Sequence, residues 1–249
     1  MPDVALSATH LTADIVDKTL AADDLSDVAA WYGKVASLGD FVQRRVPPEC
    51  LQALDAWLST VMRDAREQLG ERWLDVYLTA PLLRFAWAPG VIDGRWWFGL
   101  LMPSCDSVGR YFPLVIVQPR ARAPEDRIAL DHLELWYEHL AHAAMQTLSE
   151  GSDALETLET ALQDAPPWPT PGRAPAVTKR DTLHGDHLGL APAATLQQWL
   201  HGLATQDLQR RFAGCTIWWR VTEAPSGDSV DIVHGLPDGA GFAALLAGS

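Results

Sequence analysis

Gly33, Lys34, Gly39 and Asp40 stand close together in "WYGKVASLGDFVQRRVP", residues 31–47. Glycines beside a lysine suggest a phosphate cradle, in which backbone N–H groups and an ammonium hold the anion. The order is wrong for one. A Walker loop places its lysine and a hydroxyl directly after the second glycine. Here Lys34 follows the first glycine, and Asp40 follows the second, where its charge would repel phosphate. Pro47 and Pro48 also postpone the next helix, so no helix dipole opens at Gly39. The stretch reads instead as a strand and a turn shaped by Gly33 and Gly39. Gly39 is expected at positive φ, and Asp40 is expected to cap free backbone N–H groups.

"MPSCDSVGRYFP", residues 102–113, holds a second chemically capable set. A Cys105 nucleophile would need a histidine or a helix N-terminus to form its thiolate. Its sequence neighbour is instead Asp106, whose charge raises a thiol pKa, and no histidine is local. The competing reading is a hairpin connection. In it Ser104 and Asp106 bond to turn backbone, Gly109 relieves φ, and Arg110 pairs with Asp106.

The histidines form two groups. "HLELWYEHLAH" carries His132, His139 and His142, and "HGDHLGL" carries His184, Asp186 and His187 in an expected loop. The order Glu138-His139-x-x-His142 is not HExxH, whose ligands lie four apart with the base between them. Polar rims of a helix and a solvated loop account for both groups, and no metal ligand set is assigned. The acidic run "SEGSDALETLET" alternates with leucines at helical spacing and reads as a solvated helix face.

These residues need elements to position them. "AAWYGK" reads as a first strand. Leu51, Leu54, Leu58, Val61, Met62, Ala65 and Leu69 predict a helix over 49–69, entered at Pro47 and Pro48 and stopped at Gly70. "ERWLDVYL" predicts a short helix. "LLRFAWA", "RWWFGLLM" and "RYFPLVIVQ" predict a three-strand meander. Pro113, inside the third strand, implies an edge or a bulge there. Residues 126–148 predict a long helix with Ala129, Leu133, Trp136, Leu140 and Ala144 on one stripe. A shorter one starts at Asp153, which with Glu156 suggests a capping box. After a proline-rich connector near 165–176 come a helical stretch over 193–212, the strands "CTIWWRV" and "VDIVHG", and a helix after Asp238. Two C-terminal strands are too few for a domain of their own, so they should join the earlier sheet. The expected fold is α/β (α+β): one domain over 29–249, with a mixed, largely antiparallel sheet and helices on both faces. Residues 1–28 read as an acidic, partly mobile extension.

Composition narrows the function. The chain has 249 residues and a net charge of −13. Such a surface repels nucleic acid and anionic lipid. No apolar run approaches a membrane span, and the acidic N-terminus does not read as a signal peptide, so the expected location is the cytoplasm. Cys50, Cys105 and Cys215 are far apart and odd in number, and are read as small buried hydrophobes. The 11 tryptophans serve either the core or a protein interface.

The segments that resist a catalytic reading carry a resemblance. "YGKVASLGDFVQRRVP", "LDAWL", "WLDVYLTAPLLRFAWAPGV", "GLLMPSCDSVGRYFPLVI", "IWWR" and "GLPDGAGFAALL" together resemble the TagF (ImpM) family of type VI secretion accessory proteins. "PSxDxVGRYFPL" is the most distinctive piece. Two departures occur: Ala36 stands before Ser37 where the family usually has proline, and Leu54 replaces a tryptophan. The resemblance implies an α-β-α sandwich, no enzymatic activity and no cofactor. It also implies post-translational repression of type VI secretion through binding of a forkhead-associated scaffold protein. The alternatives are a structural component of the apparatus and a metal-dependent enzyme. Phe41, Arg44, Arg45, Asp106, Arg110 and Tyr111 are the candidate contacts, since arginine and tyrosine are common interface anchors. Turn or core roles for them compete with that reading.

Overall fold

The computed structural model describes residues 26–124, 127–148, 153–168, 177–182, 185–190, 207–220 and 229–248. The meander is present as β3 (Leu83–Trp87), β4 (Trp96–Met102) and β5 (Leu114–Arg120). Every residue of β3 and β4 is buried. That explains why apolar residues run through both faces of these strands, since a sheet covered on both sides has no reason to alternate; the exception, Arg84 in β3, is buried and pairs with Glu134 of the neighbouring helix layer. β1 (Ala30–Gly33) pairs with β5, and β2 (Val42–Arg44) folds back along β1. β8 (Cys215–Arg220) pairs with β3, and β9 (Val230–His234) closes that side. The result is a seven-stranded sheet in the order β2-β1-β5-β4-β3-β8-β9. Its ladders are antiparallel, and the two C-terminal strands join it as expected.

β5 differs from expectation. It begins at Leu114, so Pro113 lies outside the ladder, and it sits between β1 and β4 rather than at an edge. The missing N–H of Pro113 therefore disturbs no pairing.

Each face of the sheet carries a helical layer. α1 (Pro48–Leu69) admits Pro48 in its first turn, where an N–H would be unpaired anyway. It ends at Gly70, at φ +53°, whose N–H returns to the Arg66 carbonyl. α2 (Trp73–Thr79) follows a single 3-10 turn. These two helices and α5 (Gly239–Ala247) bury Leu54, Leu58, Tyr77 and Phe242 against Phe85, Trp87, Trp97 and Val115 of the sheet. On the other face, α3 (Arg127–Gln146) and α4 (Ala154–Gln163) bury Trp136, Leu140 and Leu158 against Phe98, Leu100 and Ile116. Odd and even strand residues thus feed two cores, and the sandwich is α-β-α. Trp31, Trp73, Trp87, Trp96, Trp97, Trp136 and Trp218 are buried, so most of the tryptophans serve these cores.

Other local expectations also change. Asp153 makes no side-chain capping bond, because its backbone (φ −102°, ψ 11°) is not the extended shape that turns a side chain back onto the helix. Asp238 is extended and does cap, accepting from the Gly241 N–H. Asp186 and His187 belong not to a loop but to β7 (Gly185–Leu190), paired with β6 (Val177–Thr182) as a separate hairpin. His184, most of the 165–176 connector, most of the 1–28 extension and residues 193–206 lie outside the described residues; residues 207–212 are helical.

The glycines of the opening stretch divide sharply. Gly33 has φ +138°, and a Cβ there would lie 2.0 Å from the Pro113 carbonyl oxygen. Gly39 is not at positive φ, contrary to expectation. The reversal is made upstream, where the Leu38 N–H donates to the Val35 carbonyl. A Cβ on Gly39 would make an ordinary 3.6 Å contact with Ser107. Gly33→Ala should therefore destabilise the fold by at least about 2 kcal/mol, through strain and overpacking. Gly39→Ala should change stability by under about 1 kcal/mol. Urea denaturation of both variants checks this; equal losses would contradict it.

Candidate partner-binding site

Three segments meet at one end of the sheet: the β1–β2 turn, the β4–β5 loop and α2, through Tyr77. Their junction is a carboxylate. Asp106 is buried in the β4–β5 loop, 2.6 Å from the Lys34 ammonium and 2.7 Å from Arg110 Nε. Its second oxygen accepts from the backbone N–H groups of Val108 and Arg110. Burial pushes the carboxyl pKa up, but the bonds from Lys34 and from the Arg110 backbone and guanidinium outweigh it. They hold the carboxyl well below the usual range.

The loop is stitched at further points. The Ser104 hydroxyl donates to the Lys34 carbonyl at 2.8 Å, and the Ser107 N–H donates to the Leu38 carbonyl. Arg110 reaches across to the Gly39 carbonyl. The Tyr77 hydroxyl donates to the Ser104 carbonyl and accepts from its N–H. Gly109 takes φ +80°, which closes the turn around Asp106. Ser104, Asp106, Gly109 and Arg110 thus lie in one hydrogen-bonded turn between β4 and β5. Cys105 forms an isolated bridge with Tyr111, and no histidine bonds to it among the described residues.

Phe41 and Tyr111 are exposed above this framework. Phe41 stacks at 5.8 Å on Tyr32 and meets Phe112 edge-on at 4.7 Å, and the Lys34 ammonium lies 4.9 Å from its ring. Tyr111 packs edge-on against Tyr77. Asp40 caps only locally, accepting from the Phe41 N–H.

A second node anchors β2. Arg45, at φ +62°, donates to Glu159 of α4 at 2.7 Å and to the Ala29 carbonyl. Arg44 also pairs with Glu159, at 3.2 Å, and the Trp31 indole donates to the same carboxylate. Burial raises the Glu159 pKa, and these donors, Arg45 first, outweigh it and lower it. Glu159 is buried, which corrects the reading of its acidic run as wholly solvated. It lies four residues from Leu155 and three from Leu162, so the apolar face of α4 includes it.

The six candidate contacts therefore separate. Phe41, Tyr111, Arg44 and Arg110 reach solvent, the last two with side chains 56% and 59% exposed. Asp106 is consumed inside the fold, and Arg45 largely so. His139 bonds to the Ala161 carbonyl of α4, and His142 to Gln146. Among the described residues, no group of three or more His, Cys, Asp or Glu is placed to hold a metal ion. Of the cysteines only Cys50 is fully buried, which pushes its thiol up to about 12; Cys105 and Cys215 are half-buried. Among the described residues no helix is long and apolar enough to cross a membrane.

Both carboxyls titrate lower folded than unfolded. Their stabilisation is complete above the unfolded pKa of about 4 and is lost as pH falls below it. The melting temperature should drop steeply below about pH 4. Asp106→Asn and Glu159→Gln should each start lower at neutral pH and show a shallower acid decline. Thermal melts across pH check this; decline as steep as wild type would contradict it.

The model of the TagF N-terminal domain, type VI secretion system-associated, matches residues 30–165. The crystal structure of PA0076 from Pseudomonas aeruginosa PAO1 is similar over 89% of this chain and 94% of that one. The sequence identity is 33% and the TM-score 0.65. No curated protein matches the chain.

Proposed function

The chain belongs to the TagF family, associated with type VI secretion, and on that premise we propose that it represses secretion post-translationally. It does so in the cytoplasm by binding a forkhead-associated scaffold protein of the apparatus. The family match carries this reading. The sheet end supports a binding role rather than a catalytic one. Its titratable groups are occupied in ion pairs, while Phe41, Arg44, Arg110 and Tyr111 remain exposed on a braced loop and hairpin. A surface held in place before contact loses less conformational entropy on binding. Repression then follows from mass action: scaffold bound here is withdrawn from assembly.

Deleting the gene in its bacterial host should raise type VI secretion, and restoring the wild-type chain should lower it again. Quantifying a secreted apparatus protein in the culture supernatant checks this. Unchanged secretion contradicts the proposal, and abolished secretion would mark the chain as a component instead.

A further inference from the structure

A cleft of about 660 Å³ opens between the C-terminal half of α1 and the β4–β5 loop. Arg63 and Arg66 line one wall, three residues apart and hence on one helix face. Arg110 and Tyr111 line the other. Met62 and Trp73, both nearly buried, give the cleft an apolar floor.

We propose that this cleft receives an acidic segment of a protein partner. Its carboxylates would lie on the three guanidinium groups, and one apolar side chain would rest against Met62, Trp73 and Tyr111. The inference deepens the binding role proposed above by giving it a surface and a ligand chemistry.

Charge argues for this occupant. The chain carries −13 overall, yet three arginines converge here. Among the residues that line the cleft, Arg63, Arg66 and Arg110 face the single carboxylate of Glu67, so its walls are positive. An acidic segment is repelled by the rest of the surface and steered here. Arg66 has no carboxylate partner among the described residues. Arg63 pairs only with its neighbour Asp64, on the exposed helix surface. Such pairs are weak and exchange readily. Arg110 is fixed by Asp106 and the Gly39 carbonyl yet stays largely exposed, so it is held in position for a ligand. All three cations are arginines, whose planar fork matches a carboxylate bidentately where a lysine offers a point charge.

The test uses the purified full chain and a fluorescein-labelled peptide of alternating glutamate and leucine, read by fluorescence anisotropy. A lysine–leucine peptide is the control. The acidic peptide should bind, the control should not, and added salt should weaken binding. Arg63→Glu with Arg66→Glu should weaken it by roughly tenfold or more. Glu67→Lys should strengthen it by about threefold, a gain that misfolding cannot mimic. Failure of the wild type to bind, or affinity unchanged in the charge variants, would overturn the cleft. If the peptide binds as described but gene deletion leaves secretion unchanged, the repressor role fails and the cleft stands. If deletion raises secretion but the peptide does not bind, the cleft alone fails.

Discussion

Asp106 is the charge around which one end of the sheet is arranged. A buried carboxylate is tolerated only when cations and N–H donors surround it. Lys34 comes from the end of β1, Arg110 from the same loop as Asp106, and two backbone N–H groups complete the shell. Satisfying that one carboxylate fixes where β1 ends relative to the β4–β5 loop. Gly33 allows the approach, since any side chain there would strike the Pro113 carbonyl. Arg110 and Tyr111 then have little freedom, because the turn that carries them is already committed.

The strand beside this junction is held from both layers. Alternation along β1 sends Tyr32 toward α1, where its hydroxyl donates to Asp55, and Trp31 toward α4, where its indole donates to Glu159. Arg45, the residue after β2, closes the second contact. A three-residue edge strand is a weak element alone. Here the carboxylate of α4 clamps it, and the Phe41 ring above it rests on Tyr32 and Phe112. The exposed groups at this end therefore sit on a braced framework, as a recognition surface requires.

Periodicity made the long helices and the central strands legible. α1 and α3 carry apolar stripes at helical spacing, and β3 and β4 are short apolar runs between turn signals. The edge-joining of β8 and β9 followed from the instability of two strands alone. What stayed hidden depended on long-range contact. β2 has three residues and one half-buried position, too little for a pattern. Glu159 resembles its solvated neighbours until Arg45 and Trp31 arrive from more than a hundred residues away. The order of residues around Lys34 speaks against a phosphate ligand but does not reveal its partner, a carboxylate 72 residues on. Arg63 and Arg66 look like ordinary exposed helix residues; only the fold sets Arg110 and Tyr111 opposite them. The Asp106–Arg110 pair is legible in the sequence because both ends lie in one turn.

The proposed role for this sheet end is to hold a protein partner. The most direct measurement is a calorimetric titration of the purified forkhead-associated scaffold into the purified full chain. The account predicts saturable binding, with co-elution of the two proteins on gel filtration. No heat of binding and separate elution, with both proteins shown to be folded, would contradict it.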